Sequence, residues 1–140
     1  MAKKILVIVI LIAPIVFGII GCKKPVKQDE QADMYQASEL SLVMRTMVDY
    51  SKACKAALEA GESLPKAPDQ IWTLQQATAT RGENNEDAFQ SMTSPYLEAV
   101  RGIERGDSQA YYYARSIDAC VACHSTYCGG PMSIIQKLKP

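Results

Sequence analysis

Residues 107–131 read DSQAYYYARSIDACVACHSTYCGGP and contain the last predicted helix of a chain of 140 residues. Its apolar residues recur at steps of three and four, which is typical of one helical face. The residues on that face are Ala110, Tyr113, Ala114, Ile117, Cys120, Val121 and His124. Asp107 is a suitable N-cap, and Gly129-Gly130-Pro131 ends the helix. The stretch therefore predicts a helix that carries Cys120, Cys123 and the single histidine of the sequence.

Within this helix, Cys120-Val121-Ala122-Cys123-His124 is C-x-x-C-H, the attachment sequence for c-type haem. Two thiols three residues apart lie on one helical face, where they can add to the two vinyl groups at one edge of the porphyrin. The imidazole of His124 then binds the iron as proximal ligand. The motif predicts one covalent haem c, held by Cys120 and Cys123.

Three other uses of these cysteines compete with haem attachment. A redox pair of the thioredoxin type needs a βαβ context, which the sequence lacks. A disulfide between two cysteines of one helix is poorly placed. A structural zinc site needs a Cys₄ or Cys₃His set, and it would make the chain a non-haem structural lipoprotein. The candidate zinc ligands are Cys120, Cys123, Cys128, His124 and Cys54.

The first 21 residues have the pattern of a secretory signal. Met1 to Lys4 supply positive charge, and the 16 residues from 5 to 20 carry none. Ile19-Ile20-Gly21-Cys22 resembles the lipobox of bacterial lipoproteins, which implies cleavage before Cys22 and acylation of its thiol. An uncleaved signal anchor is the alternative, although the apolar run is marginal for a span of ~20 residues.

Removal of the signal divides the chain into three parts: residues 1–21, an acylated tether over 22–33, and a helical haem-binding domain over 34–140. The tether is charged, contains Pro25 and lacks apolar periodicity. The anchor predicts a bacterial cell envelope location, attached to the lipid bilayer through Cys22 and facing the periplasm or the cell exterior. This location agrees with the motif, because c-type haem is attached outside the cytoplasm.

The charge of the chain excludes nucleic acid as a partner. The full sequence balances 15 basic against 15 acidic side chains. Without residues 1–21 it loses Lys3 and Lys4, which leaves 13 basic against 15 acidic residues. Binding to phosphate backbones needs a basic surplus or a concentrated basic face.

Three further stretches have helical periodicity. The first runs over residues 34–60, and a short second helix is predicted to begin at an Asp69 N-cap. The third covers 86–105, where Pro95 is expected to kink the helix or to begin its second half with Ser94 as cap. No stretch alternates with period two. The sequence therefore predicts an all-α fold, an up-down antiparallel four-helix bundle.

A C-x-x-C-H motif in the last of four helices, within 119 mature residues, resembles class II cytochromes c, the cytochrome c′ group. The resemblance covers residues 34–128, and its specific local match is the motif. It implies haem between the first and last helices, with His124 as the proximal ligand. Residues 40–47 stand where the first helix of that family presents its distal residue to the haem. Such bundles often pair through their first helices, so the resemblance also allows a homodimer.

The second axial position of the iron is filled by methionine or left open, because the chain has one histidine. Met44 is the first candidate and Met47 the second, since both lie on the predicted inner face of the first helix. Core packing is the alternative role for each. A His/Met haem predicts a one-electron carrier, not an enzyme, that serves membrane-bound or soluble redox proteins. An open position predicts instead a five-coordinate haem protein that binds NO or CO.

Two cysteines have no role in these assignments. In the predicted bundle, with haem near Met44, Cys54 and Cys128 would lie ~15 Å apart along the helices. We therefore expect two thiols and no disulfide between them.

Overall fold

Helices make up all of the regular structure in the residues that the computed structural model describes, 36–82 and 86–140. Four are α-helices: α1 (Glu39–Ala60), α2 (Asp87–Arg105), α3 (Gln109–Tyr127) and α4 (Met132–Lys137). A 3₁₀ helix, Asp69–Thr73, lies between α1 and α2. The predicted all-α class is confirmed for this part of the chain, and 36–140 form one unit.

The predictions for the N-terminal segment concern residues outside the described ranges. The signal over 1–21 lies outside the described residues, as do Cys22 and the tether over 22–33. None of the described helices is long and apolar enough to cross a membrane.

Helix α1 begins later than predicted and ends where predicted. Ser38 is its N-cap, and the hydroxyl of Ser38 accepts a hydrogen bond from the Ser41 amide at 3.3 Å. This bond satisfies one of the amide groups that a helix leaves unpaired in its first turn. Gly61 closes the helix in the left-handed conformation, with φ of 71°, which glycine adopts without steric cost.

The prediction of a second α-helix that begins at Asp69 is wrong. Its residues form the short 3₁₀ helix, and Asp69 lies in the first turn after Pro68 without a side-chain cap bond. Ile71, Leu74 and Ala77 are the buried residues of this region, and they are spaced three apart. A 3₁₀ turn aligns positions at that interval on one side, so burial of this face favours the tighter turn.

Helix α2 is a single helix with Pro95 inside it. The prediction of a second half that starts at a Ser94 cap is therefore wrong. Hydroxyls beside the proline bind carbonyls of the preceding turn, as in the bond from Ser94 to the Gln90 oxygen at 2.8 Å. The side chain of Gln75 also donates to that oxygen at 3.0 Å. These side-chain bonds give the Gln90 carbonyl additional donors in the turn that precedes Pro95.

Helices α2 and α3 have the most extensive contact of any pair in the described residues. A Cβ atom added at Gly102 would lie 2.2 Å from the ring of Tyr112, so glycine allows this close approach. The predicted Asp107 cap is wrong, because Ser108 precedes α3 with φ of 51°. The side-chain amide of Gln109 (Nε2) instead donates to the Ile103 carbonyl at 3.0 Å and so ties the start of α3 to the end of α2.

Helix α4 was not predicted, and it is held against the rest of the fold through backbone carbonyls. The buried Tyr113 hydroxyl donates to the carbonyl of Leu138. The ammonium group of Lys55 on α1 donates to the Lys137 carbonyl at 3.3 Å and also to the Lys139 carbonyl. Two elements, α3 and α1, therefore anchor the C-terminal segment.

We expect Tyr113→Phe to lower the free energy of unfolding by about 1–2 kcal/mol, because the Leu138 carbonyl loses a buried donor. Urea denaturation of the variant and the parent protein measures this change. Tyr111→Phe is the matched control, since Tyr111 is 61% exposed and should change stability by less than about 0.5 kcal/mol. Equal effects at the two positions would contradict an anchoring role for Tyr113.

Candidate functional site

A cavity of about 450 Å³ lies among all four α-helices. Its size is in the range of about 300–1,000 Å³ that is usual for pockets of small molecules and cofactors. Its lining is mostly apolar. The lining residues used below are Met44, Arg45, Met47, Tyr96, Cys120, Cys123, His124, Ile134, Ile135 and Leu138.

The three residues of the C-x-x-C-H motif line this cavity together. Cys120 is followed at three residues by Cys123 and at four by His124, and these intervals place side chains on the same helical face. Cys123 is buried, whereas Cys120 and His124 are half-buried. The predicted haem-attachment residues are thus brought together at one cavity wall near the end of α3.

The orientation of His124 is fixed by a hydrogen bond. Its Nδ1 atom lies 2.9 Å from the carbonyl oxygen of Cys128, and the Cys128 amide donates back to the His124 carbonyl at 3.3 Å. A carbonyl oxygen can only accept, so Nδ1 carries the proton. Nε2 of the neutral ring is then the nitrogen with a free lone pair, which is the arrangement that metal-binding histidines use.

A second cavity of about 390 Å³ adjoins the first. His124, Cys123 and Met44 line both cavities, whereas Met47 lines only the larger one. Met44 is half-buried, and Met47 is buried in the core with 6% of its surface exposed. The structure therefore distinguishes the two candidate methionines: Met44 lines both spaces that His124 lines, and Met47 has the burial of a core residue.

In the polypeptide without a cofactor, burial favours the protonated form of the Cys120 and Cys123 thiols. It raises the pKa of Cys120 to about 12, with a further contribution from the neighbouring Cys123. Burial also raises the pKa of Cys123. Because the thiolate is the reactive form of cysteine, a raised pKa lowers the reactivity of both thiols at neutral pH.

The zinc alternative lacks its cluster of ligands in the described part of the chain. Among residues 36–82 and 86–140, no three His, Cys, Asp or Glu side chains are grouped so that they could hold a metal ion. The four cysteines in those ranges are all free thiols. Cys54 is completely buried and Cys128 is exposed.

Several residues of the cavity wall did not emerge from the sequence. Arg45 lies between the two candidate methionines and reaches the cavity from an exposed position. Ile134, Ile135 and Leu138 of the C-terminal segment close another side. Their spacing after Pro131 matches one face of a short helix, and this signal could have predicted both α4 and its contact with the site.

Comparisons of the chain with protein-family models, with curated proteins and with solved structures found no match. The resemblance to class II cytochromes c rests on the motif, its position in the chain and the helical pattern.

Cys54 and Cys128, the two cysteines of the described residues that lie outside the motif, should differ strongly in reactivity. We expect iodoacetamide at neutral pH to modify the exposed Cys128 within minutes to hours and to leave Cys54 unmodified. Burial raises the pKa of Cys54 and also blocks access of the reagent. Peptide mass spectrometry of native and urea-denatured protein measures both sites, and denaturation should remove the difference. Modification of Cys54 at the rate of Cys128 in the native protein would contradict the described packing.

Proposed function

We propose that this protein is a membrane-anchored mono-haem c-type cytochrome that carries single electrons outside the cytoplasm. The observation that supports this most directly is the shared cavity of Cys120, Cys123 and His124. The C-x-x-C-H motif alone gives only the order and spacing of two cysteines and a histidine along the chain. The structure adds that the three side chains border one apolar space of a size suited to a large cofactor.

The residues of the cavity fit haem c by their chemistry. Cys120 and Cys123 supply the two thiols for thioether bonds, and His124 offers Nε2 to the iron because Nδ1 is bound to a carbonyl. The haem supplies the iron that gains and loses the electron. The chain retains the cofactor covalently, orients the imidazole, and surrounds the cofactor with apolar side chains that exclude water.

Met44 is our first choice for the distal ligand. It lines both cavities together with His124, and its position on α1 puts it on a different helix from the proximal ligand. A thioether ligand raises the potential of a His-ligated haem and leaves no open position. Such a site suits electron transfer better than capture of NO or CO, and it needs no group for acid–base catalysis.

The finer topology that fits this proposal is an up-down antiparallel bundle with haem between α1 and α3. Helices α2 and α3 are joined by the three residues 106–108 and pack closely, which is typical of antiparallel neighbours. Helices α1 and α3 have few contacts with each other, while both line the larger cavity. A flat cofactor between them would supply the missing packing.

Acylation of Cys22 is part of the proposal. Each acyl CH₂ that enters the bilayer contributes about 0.8 kcal/mol, so two or three chains would hold the domain at the membrane. The tether over 22–33 would then keep the haem domain near membrane-bound redox proteins and raise their effective concentration for each other. Soluble redox proteins would be the second class of partner.

The visible absorption spectrum of the mature protein, produced with the haem-attachment machinery, tests the proposed function. We expect a Soret band that remains with the polypeptide after denaturation, a sharp α-band on reduction, and a weak far-red band from sulfur–iron coordination on oxidation. A broad high-spin spectrum that shifts with CO would instead support the gas-binding alternative. Absence of a Soret band would reject both haem functions, and Cys120→Ser with Cys123→Ser is the control for covalent attachment.

Matched substitutions test which of the two methionines, Met44 or Met47, is the distal ligand. We expect Met44→Ala to lose the far-red band and to gain a high-spin spectrum, because it removes the sulfur ligand. Met47→Ala should keep the band and lower the free energy of unfolding by about 2–3 kcal/mol, as expected for a buried methionine. Loss of the band in Met47→Ala alone would reverse the assignment. The band surviving in both variants would exclude both residues.

A further inference from the structure

The larger cavity opens to solvent between α1 and α4. Four of its lining residues are exposed: Arg45, Asp49, Lys52 and Ile134. The three charged residues lie on α1 at intervals of four and three, which places them on one side of that helix, and Ile134 lies on α4. The other lining residues are buried or half-buried, so these four side chains mark the mouth of the cavity.

The mouth has one cation without an acidic partner. Lys52 and Asp49 form an ion pair of 3.0 Å, so their charges largely offset each other. Arg45 forms no ion pair with another of the described residues. An arginine keeps its charge at any physiological pH. The mouth therefore carries a net positive charge.

Three lysines extend this positive charge beyond the mouth. Lys55 lies three residues after Lys52 on α1, and its ammonium group binds the backbone carbonyls of residues 137 and 139. These bonds hold the exposed Lys137 and Lys139 beside α1. The five cations together form the basic edge of the mouth, which consists of Arg45, Lys52, Lys55, Lys137 and Lys139.

The basic edge is a local excess in a domain that is acidic elsewhere. It holds half of the lysines and arginines in the described residues, whereas acidic residues outnumber basic ones over the remainder of those residues. The acidic residues within four positions of its members on α1 are Asp49 and Glu59. Such a distribution of charge attracts an anionic partner to one side of the domain.

We propose that the mouth of the cavity, with its basic edge, is the surface on which a redox protein docks through an acidic patch and exchanges one electron with the haem. One of the two proteins is oxidised as the other is reduced. This inference rests on the proposed haem function. Electron exchange needs close approach to the cofactor, and the mouth is where the lining of its cavity reaches solvent. Ile134 is 48% exposed and adds an apolar contact, as protein interfaces combine apolar and charged residues.

A protein surface suits the basic edge better than nucleic acid does. The phosphates of a nucleic acid form a continuous line of negative charge, and Asp49 and Glu59 would stand within that contact. An acidic patch of a protein presents separate carboxylates, which can lie opposite single cations. Attraction of this kind increases the rate of association and weakens as salt is added.

The salt dependence of electron exchange with a small anion tests the sign of the charge at the mouth. The reduced, haem-loaded full chain is mixed with ferricyanide in a stopped-flow spectrometer at ionic strengths from about 0.01 M to about 0.15 M. We expect the rate constant to fall about fivefold over this range, because the basic edge attracts the anion at low salt. The mature chain has fewer basic than acidic residues, so its overall charge predicts the opposite, a rate that rises with salt.

Two double variants test whether the effect comes from the basic edge. Arg45→Gln with Lys139→Gln removes two of its charges and leaves the Lys55 bonds in place, because these use backbone carbonyls. We expect the fall in rate to shrink to less than about twofold. Lys66→Gln with Arg115→Gln is the control, since it changes the net charge equally at exposed positions outside both cavities, and it should keep the full fall. Far-UV circular dichroism verifies the fold of both variants.

Three outcomes would contradict the proposal at different points. A ferricyanide rate that rises with salt in the parent protein, or an equal loss of the effect in the control variant, overturns the docking surface while the haem function stands. Binding of the mature chain with Cys22→Ser, which has no acyl anchor, to phosphatidylglycerol vesicles without a salt-dependent fall in the ferricyanide rate assigns the basic edge to a lipid surface and overturns the protein partner. A parent protein without a Soret band overturns the proposed function itself, and its spectrum shows this before any rate is measured.

Discussion

The hydrogen bond between Nδ1 of His124 and the carbonyl of Cys128 is the interaction on which the candidate site depends. It spans four residues at the end of α3, where the helix runs out of amide donors for its last carbonyls. The bond fixes both the tautomer and the plane of the only imidazole in the chain. In the proposed haem protein, a ring free to rotate would bind iron less tightly, because each rotamer that does not face the metal must be given up on binding.

The walls around this imidazole come from distant parts of the sequence. Met44 and Tyr96 belong to α1 and α2, and the C-terminal segment adds Ile134 and Leu138. The tight contact between α2 and α3, which Gly102 permits, leaves α1 to form the opposite side of the cavity. The arrangement thus combines one rigid pair of helices with a third helix that covers an apolar space, a geometry suited to a cofactor that itself becomes part of the core.

Much of the fold could be predicted from local patterns, and the errors have physical causes. The end of α1 at Gly61 and the helical course of residues 87–105 follow from apolar spacing and from glycine as a stop signal. The Asp69 and Asp107 caps are wrong because the choice of cap depends on backbone geometry that neighbouring packing sets. A 3₁₀ turn with buried residues three apart cannot be told from an α-helix over so short a stretch.

In the site, too, the features that depend on local spacing could be predicted from the sequence, and those that depend on packing between distant segments could not. Cys120, Cys123 and His124 share a helical face for reasons of spacing alone, so their common cavity wall could be predicted. The difference in burial between Met44 and Met47 could not be predicted, because the two lie three residues apart on one inner face and differ in what other helices place beside them. The place of Tyr96 at the cavity wall could not be predicted either, because it is set by how α2 packs against the other helices.

The way in which the C-terminal segment is held has a consequence for how its sequence can vary. The groups that anchor it, Tyr113 and Lys55, bind backbone oxygens of residues 137–139 and do not contact the side chains of those residues through these bonds. Every amino acid has such an oxygen, so the lysines at 137 and 139 can be replaced without loss of the anchor. Deletion of residues 137–139 would remove all three acceptors at once. A deletion within residues 137–139 should therefore weaken the anchor more than a substitution there.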